Sequence, residues 1–196
     1  AQLRPDPDVY QSRAHDSLLA GDLEQALAEI EEAARLDPSD MCAECCRGRI
    51  VGEAGDWQVS ADIYAKVLRE TGTCCNTARL GLARAYHEQG RTKDASDLVG
   101  KALKSYPRDL EVHCCLASFA EDREDWREAV VELKKAVALD PSYAGTRHQL
   151  AAAYAETGQF EQAKEQLREA EQLDPGNADN RCCAAFVAGK QGDWKT

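Results

Sequence analysis

The chain has 196 residues, a net charge of −11 and a pI near 4.9, which argues against a nucleic-acid backbone or an anionic membrane surface as its main partner. Its apolar runs fall far short of the ~20 residues that cross a bilayer, so no membrane insertion is expected. Nine cysteines, an odd number, leave at least one thiol unpaired within the chain and point to a reducing, cytoplasmic setting, with a removed secretion signal as the alternative. The chain opens on Ala1 with no charged-then-apolar leader, as expected of a processed start or a fragment.

Taken in order, the chain predicts helix pairs over 7–40, 41–75, 76–109, 110–143 and 144–177, with a partial sixth over 178–196. Each pair has a breaker at its middle: Gly21, Gly55, Gly90, Glu124, Gly158 and Gly192. Their spacings are 34, 35, 34, 34 and 34. Pro38, Pro107, Pro141 and Pro175 close four pairs in the same register, and Gly72 stands near that point in the second. Proline ends a helix because it cannot supply the amide the next turn needs. The fifth pair is the most regular. Leu150, Ala151 and Tyr154 share one face of its first helix, and Phe160, Ala163, Leu167, Ala170 and Leu173 recur at steps of three and four in its second. Neither helix can bury such a stripe alone, so the period predicts stacked helical hairpins.

The pattern resembles the tetratricopeptide repeat. With Pro7, Met41, Asn76, Leu110, Ala144 and Ala178 as position 1, the small residue of position 8 is Ala14, Gly48, Ala83, Ala117, Ala151 and Ala185. Position 20 is Ala26, Ser60, Ala95, Ala129 and Ala163, and the large apolar position 24 is Ile30, Tyr64, Val99, Leu133 and Leu167. Small residues there let helices approach to ~8–10 Å. The tryptophan usual at position 4 is missing; Tyr10, Glu44, Arg79, His113, Arg147 and Arg181 stand in its place. The resemblance implies an all-α fold, a right-handed superhelical solenoid of antiparallel hairpins with about five and a half units, forming a single domain over 1–196. The sixth hairpin stops after Gly192-Asp193-Trp194, and its first helix, with Cys183, Ala184, Ala185 and Val187, is too apolar for an ordinary polar cap. A truncated solenoid or an end face that meets another chain is expected.

A longer period lies over the first. Repeats two, four and six carry Cys45-Cys46, Cys114-Cys115 and Cys182-Cys183, and the same three carry Asp56-Trp57, Asp125-Trp126 and Asp193-Trp194. Small residues at position 11 (Val51, Ala120, Ala188) are expected to offset the tryptophan volume. The cysteines themselves read first as small buried apolar residues. Adjacent cysteines on one helix point ~100° apart and cannot pair. Metal chemistry has one candidate set, Cys42 and Cys45 one helical turn apart with Cys74 and Cys75 before the next helix, but that spacing matches no standard zinc module. No cofactor is expected.

By the same resemblance, the groove side carries His15, Cys45, Arg49, Arg84, His87, Cys114, His148, Cys182 and Phe186. Arg49 and Arg84 could fork onto a partner's carboxylate, unless Glu53 and Glu88, four residues on, already hold them. The family's clamp for acidic chaperone tails needs lysines and asparagines where this chain has Gln11, His15, Cys46, Thr77 and Gly81, so that activity is not expected. No phosphate loop, zinc-protease motif or nucleophile elbow occurs, and paired carboxylates such as Glu31-Glu32 fit a solvated face. The expectation is a non-enzymatic scaffold holding a partner protein or peptide, acidic toward its N-terminal half and apolar near Ala152, Ala155 and Phe186. Self-assembly through the end face is the alternative, and a thiol–metal or redox module is the less favoured one.

Overall fold

A computed structural model describes residues 6–72 and 75–192, so Cys74, Asp193 and Trp194 lie outside the described residues. The described residues form eleven helices and no strand: α1 Pro7–Leu19, α2 Leu23–Leu36, α3 Met41–Glu53, α4 Trp57–Thr71, α5 Asn76–Glu88, α6 Thr92–Ser105, α7 Leu110–Asp122, α8 Trp126–Leu139, α9 Ala144–Glu156, α10 Phe160–Leu173 and α11 Ala178–Gln191. The first helix of every repeat begins at its position 1. No helix among the described residues is long and apolar enough to cross a membrane.

The mid-hairpin breakers act through backbone conformation. Gly21, Gly55, Gly90, Gly158 and Gly192 all have positive φ, and so does Glu124, at 59°, the only non-glycine that does among the described residues. A left-handed residue lets the chain leave one helix and enter the next within a few residues. Three of the second helices, α2, α4 and α8, start on side-chain caps: Asp22, Asp56 and Asp125 accept from the backbone N–H three residues on. This explains the aspartate of Asp56-Trp57 and of Asp125-Trp126, since a carboxylate at that point satisfies an otherwise open donor.

The chain divides into two compact units, Ala1–Ala102 and Leu103–Thr196. In the first, α1 packs on α2, α3 on α4, and α3 also on α5. Its interior holds one cluster around Ala14, Ala26, Ile30, Ala33, Ala43 and Ile50 and another around Cys45, Ala61, Tyr64, Val67, Ala78, Leu82 and Ala85. In the second unit, α7 packs on α8, α9 on α8 and α10, and α11 on α9 and α10, about a core that includes Ala117, Ala129, Leu133, Leu150, Ala151 and Ala163. Position 8 is buried in the first five repeats, as are positions 20 and 24 apart from half-buried Leu167, whereas Ala185 at position 8 of the sixth is exposed.

Bulk is matched to absence of bulk. A Cβ on Gly81 would stand 2.2 Å from the Tyr64 ring and one on Gly48 3.0 Å from it. A Cβ on Gly52 would stand 2.6 Å from the Trp57 ring. The space for Trp57 is therefore made by glycine at position 12, one residue beyond the Val51 expected to make it. Glycine is required at Gly81 because the ring, only 5% exposed as part of Tyr64, has nowhere to go.

Candidate functional site

Four of the residues that replace the position-4 tryptophan, Glu44, Arg79, His113 and Arg147, are buried with polar partners, which the sequence reading missed, whereas Arg181 is exposed. His113 Nδ1 lies 2.7 Å from Glu132 Oε2 and its Nε2 lies 3.2 Å from the Pro107 carbonyl. Arg147 donates twice to the Pro141 carbonyl, at 3.1 and 2.8 Å, and also to Gln166 and Glu169. Glu44 accepts from Arg47 at 2.8 Å, with Lys66 Nζ at 3.9 Å. In both His113 and Arg147 a position-4 donor reaches back to the carbonyl of the preceding repeat's closing proline and across to position 23. Burial pushes the Glu132 carboxyl up, but hydrogen bonds from Lys135 and His113 outweigh it and leave the group below the ordinary carboxylate range. Polar residues at positions 4 and 23 of one repeat were the available signal. An open depression beside this network is walled by Leu103, Pro107, His113, Lys135 and Leu139.

On the first helices of the N-terminal unit, the residues assigned to the groove fall into contact across repeats. Arg49 Nη2 lies 3.2 Å from His15 Nδ1, and Arg84 pairs with Glu53 of the preceding repeat at 3.0 Å. The expected pairing within each helix, Arg49 with Glu53 and Arg84 with Glu88, is replaced by pairing between helices. The Arg84 guanidinium also sits 5.6 Å from the Trp57 ring centre, an attractive arrangement for a cation and a π face. Arg49, Arg84 and His15 are exposed, and His87 is half-buried. Among the described residues, the hydrogen bond formed by the Arg49 side chain is to a histidine and not to a carboxylate.

The remaining residues of that set divide. Cys45 and His148 are buried at 9% and 8% exposure, so they line the wall of their own chain and offer little surface to a partner. His148 Nε2 lies 2.5 Å from Asn180 Oδ1, while Asn180 Nδ2 donates to Glu171 at 2.6 Å and to the Asp174 carbonyl at 2.9 Å. The amide oxygen is thus the acceptor facing the ring, and Nε2 carries the proton. Cys114 Sγ is 4.0 Å from Thr146 Oγ1. Cys182 and Phe186 are exposed, and Lys190 lies 5.5 Å from the Phe186 ring while pairing with Glu156 at 2.7 Å. Ala155, expected to present an apolar contact, is 3% exposed and spent on the core.

The eight described cysteines are all free thiols. Cys42 and Cys182 are exposed, Cys45 is buried, and the others are intermediate. Their reading as core residues therefore holds for Cys45 and not for Cys42 or Cys182. Burial, followed by the neighbouring Cys75, pushes the Cys45 thiol up to about 12, and burial also raises Cys46, Cys114 and Cys183. Among the described residues no group of three or more His, Cys, Asp or Glu side chains is arranged to hold a metal ion.

Known proteins bear on this arrangement through its fold. Two tetratricopeptide-repeat models match, over residues 77–119 and 120–181, together more than half of the chain. No curated protein sequence matches significantly. The structure is similar to that of a thermophilic TPR protein from Thermus thermophilus, with 20% identity, coverage of 93% of this chain and 98% of that one, and a TM-score of 0.80. It is similar to YrrB, a TPR protein with an unusual peptide-binding site, at 21% identity, 92% coverage of each chain and a TM-score of 0.56. It is also similar to yeast Tom70, at 18% identity and a TM-score of 0.73, covering 94% of this chain and 40% of that one. With the 34-residue period, the left-handed breakers and the buried small positions, these matches lead to one conclusion: the chain belongs to the tetratricopeptide repeat family.

Proposed function

We propose that the chain is a non-catalytic scaffold that holds an acidic segment of a partner protein against the first helices of its N-terminal unit. The observation that carries this reading is the Arg49 guanidinium, exposed on α3 beside His15 and, among the described residues, bonded to no carboxylate, in a chain of net charge −11. A planar cation in that position forks onto a carboxylate. Arg84, held over Trp57 and against Glu53, places a second guanidinium on the next first helix. The helices are formed before the partner arrives, so little ordering entropy is lost by the scaffold. The test is an array of extended peptides, acidic and neutral, probed with the full chain and with Arg49→Glu. Acidic peptides should bind best, lose binding at least tenfold on the substitution, and weaken as salt rises. Equal retention of neutral and acidic peptides by both proteins overturns the assignment.

Self-assembly is a second reading, favoured by α11. Ala185 is exposed where its five counterparts at position 8 are buried, and Phe186 beside it is 40% exposed. A light-scattering series over concentration separates the two readings, because growth without a peptide is expected only for self-assembly.

A further inference from the structure

Three thiols meet where α3 faces the start of α5. Asp40 caps α3 by accepting from the Cys42 N–H at 2.8 Å, so Cys42 sits in the first turn, and it is exposed. Cys45 follows one turn later on the same face and is buried. Cys75 occupies the N-cap of α5 but makes no capping bond with its side chain. It packs instead against the cluster that contains Cys45. Cys46, although adjacent in sequence, packs into the other cluster of the unit, with Ala14, Ile30 and Ile50. Of the group Cys42 is open to solvent, Cys75 is half-buried and Cys45 is buried.

We propose that Cys42, Cys45 and Cys75 form a thiol relay that takes up one equivalent of a small-molecule disulfide and keeps it as a Cys45–Cys75 bond. The Cys42 thiolate attacks the small disulfide, forms a mixed disulfide and releases one small thiol. Cys45 attacks the Cys42 sulfur, releases the second small thiol and forms a Cys42–Cys45 bond. Cys75 then attacks the Cys45 sulfur and returns Cys42 as a free thiol. In total Cys45 and Cys75 lose two protons and two electrons, and the small disulfide gains both to become two thiols. Cys45 and Cys75 belong to one packed cluster, and closing the bond brings their sulfurs to ~2.05 Å. Cys42, the exposed thiol of the three, is the entry point for a disulfide in solvent, and the buried Cys45 thiol passes its proton to the departing small thiolate as it attacks. The bond ties the first helix of repeat two to the first helix of repeat three, the elements that carry Arg49 and Arg84. Its formation does not depend on what those arginines bind.

The experiment uses the reduced full chain incubated with glutathione disulfide, quenched by alkylation at successive times and mapped by peptide fragmentation. Cys45 and Cys75 should lose alkylation together and appear as a linked pair, and the thermal midpoint should rise by several degrees. Cys42→Ser should form the same bond several-fold more slowly. Cys75→Ser should stop at a Cys42–Cys45 bond or at a glutathione adduct on Cys42. Continued alkylation of Cys45 and Cys75 in the oxidised wild type, a link ending on any other cysteine, or an unchanged rate in Cys42→Ser overturns the relay. The wild-type map decides the bond by itself if a variant fails to fold.

Discussion

Three glycines on helices of the N-terminal unit make a graded test of packing. Gly100 on α6 has nothing within 4 Å of an added Cβ, Gly48 on α3 has the Tyr64 ring at 3.0–3.2 Å, and Gly81 on α5 has the same ring at 2.2–2.5 Å. Replacing a helix-interior glycine by alanine gains about 1 kcal/mol from backbone entropy alone. Overpacking a close-packed core costs about 1–3 kcal/mol. Gly100→Ala should therefore stabilise by about 1 kcal/mol, because only the first effect operates. Gly48→Ala should be near neutral, since a shift of a few tenths of an ångström offsets the gain. In Gly81→Ala the methyl would lie inside the ring's contact radius by more than 1 Å, and Tyr64 is buried, so a net loss of about 1–2 kcal/mol is expected. For a chain of this length 1 kcal/mol is about 2–4 °C in thermal midpoint, readable by circular dichroism. Tyr64→Leu should make Gly81→Ala harmless, giving a coupling of about 1 kcal/mol or more in a double-mutant cycle. If Gly81→Ala stabilises as much as Gly100→Ala, the argument from ring contact is wrong.

Other substitutions separate buried from exposed charge. Arg147→Met removes the donors to the Pro141 carbonyl and should cost about 2–3 kcal/mol in urea unfolding, whereas Arg168→Met, which breaks an exposed pair with Glu165, should cost under ~0.5 kcal/mol. Glu124→Gly should stabilise by about 1 kcal/mol, because a side chain no longer has to adopt the φ of 59°. Glu132 has a folded value below its ordinary 4.5, so the unfolded chain binds the proton first as pH falls. Its contribution is full above that ordinary value and disappears as pH drops through the folded one, and Glu132→Gln should flatten the acid limb of a stability–pH curve. In the reduced protein at neutral pH, timed alkylation with mass spectrometry should label Cys42 and Cys182 first and Cys45 last, following exposure and the raised Cys45 value.

The helix order was legible because its causes are local. Gly21, Gly55, Gly90, Gly158 and Gly192 mark each hairpin by backbone freedom, and even Glu124 could be placed by its spacing. The small residues at positions 8 and 20 announced close packing for the same reason, since size at a fixed period is a property of the string. The candidate site was legible only in part. Position alone put Arg49 and Arg84 on the first helices, but it paired them within each helix, whereas Arg84 reaches Glu53 one repeat earlier. It also left Cys45 and His148 open to a partner, although their own neighbours bury them.

What the sequence by itself determined is the period, the helix starts and the family, all of which depend on residues within one hairpin. What only the tertiary structure decided is which side chains meet across hairpins: His148 with Asn180, Tyr64 with Gly81, Arg84 with Glu53. Those meetings depend on the height and rotation at which one helix settles against another. That register is set by the summed fit of many side chains, and no single stretch of chain encodes it.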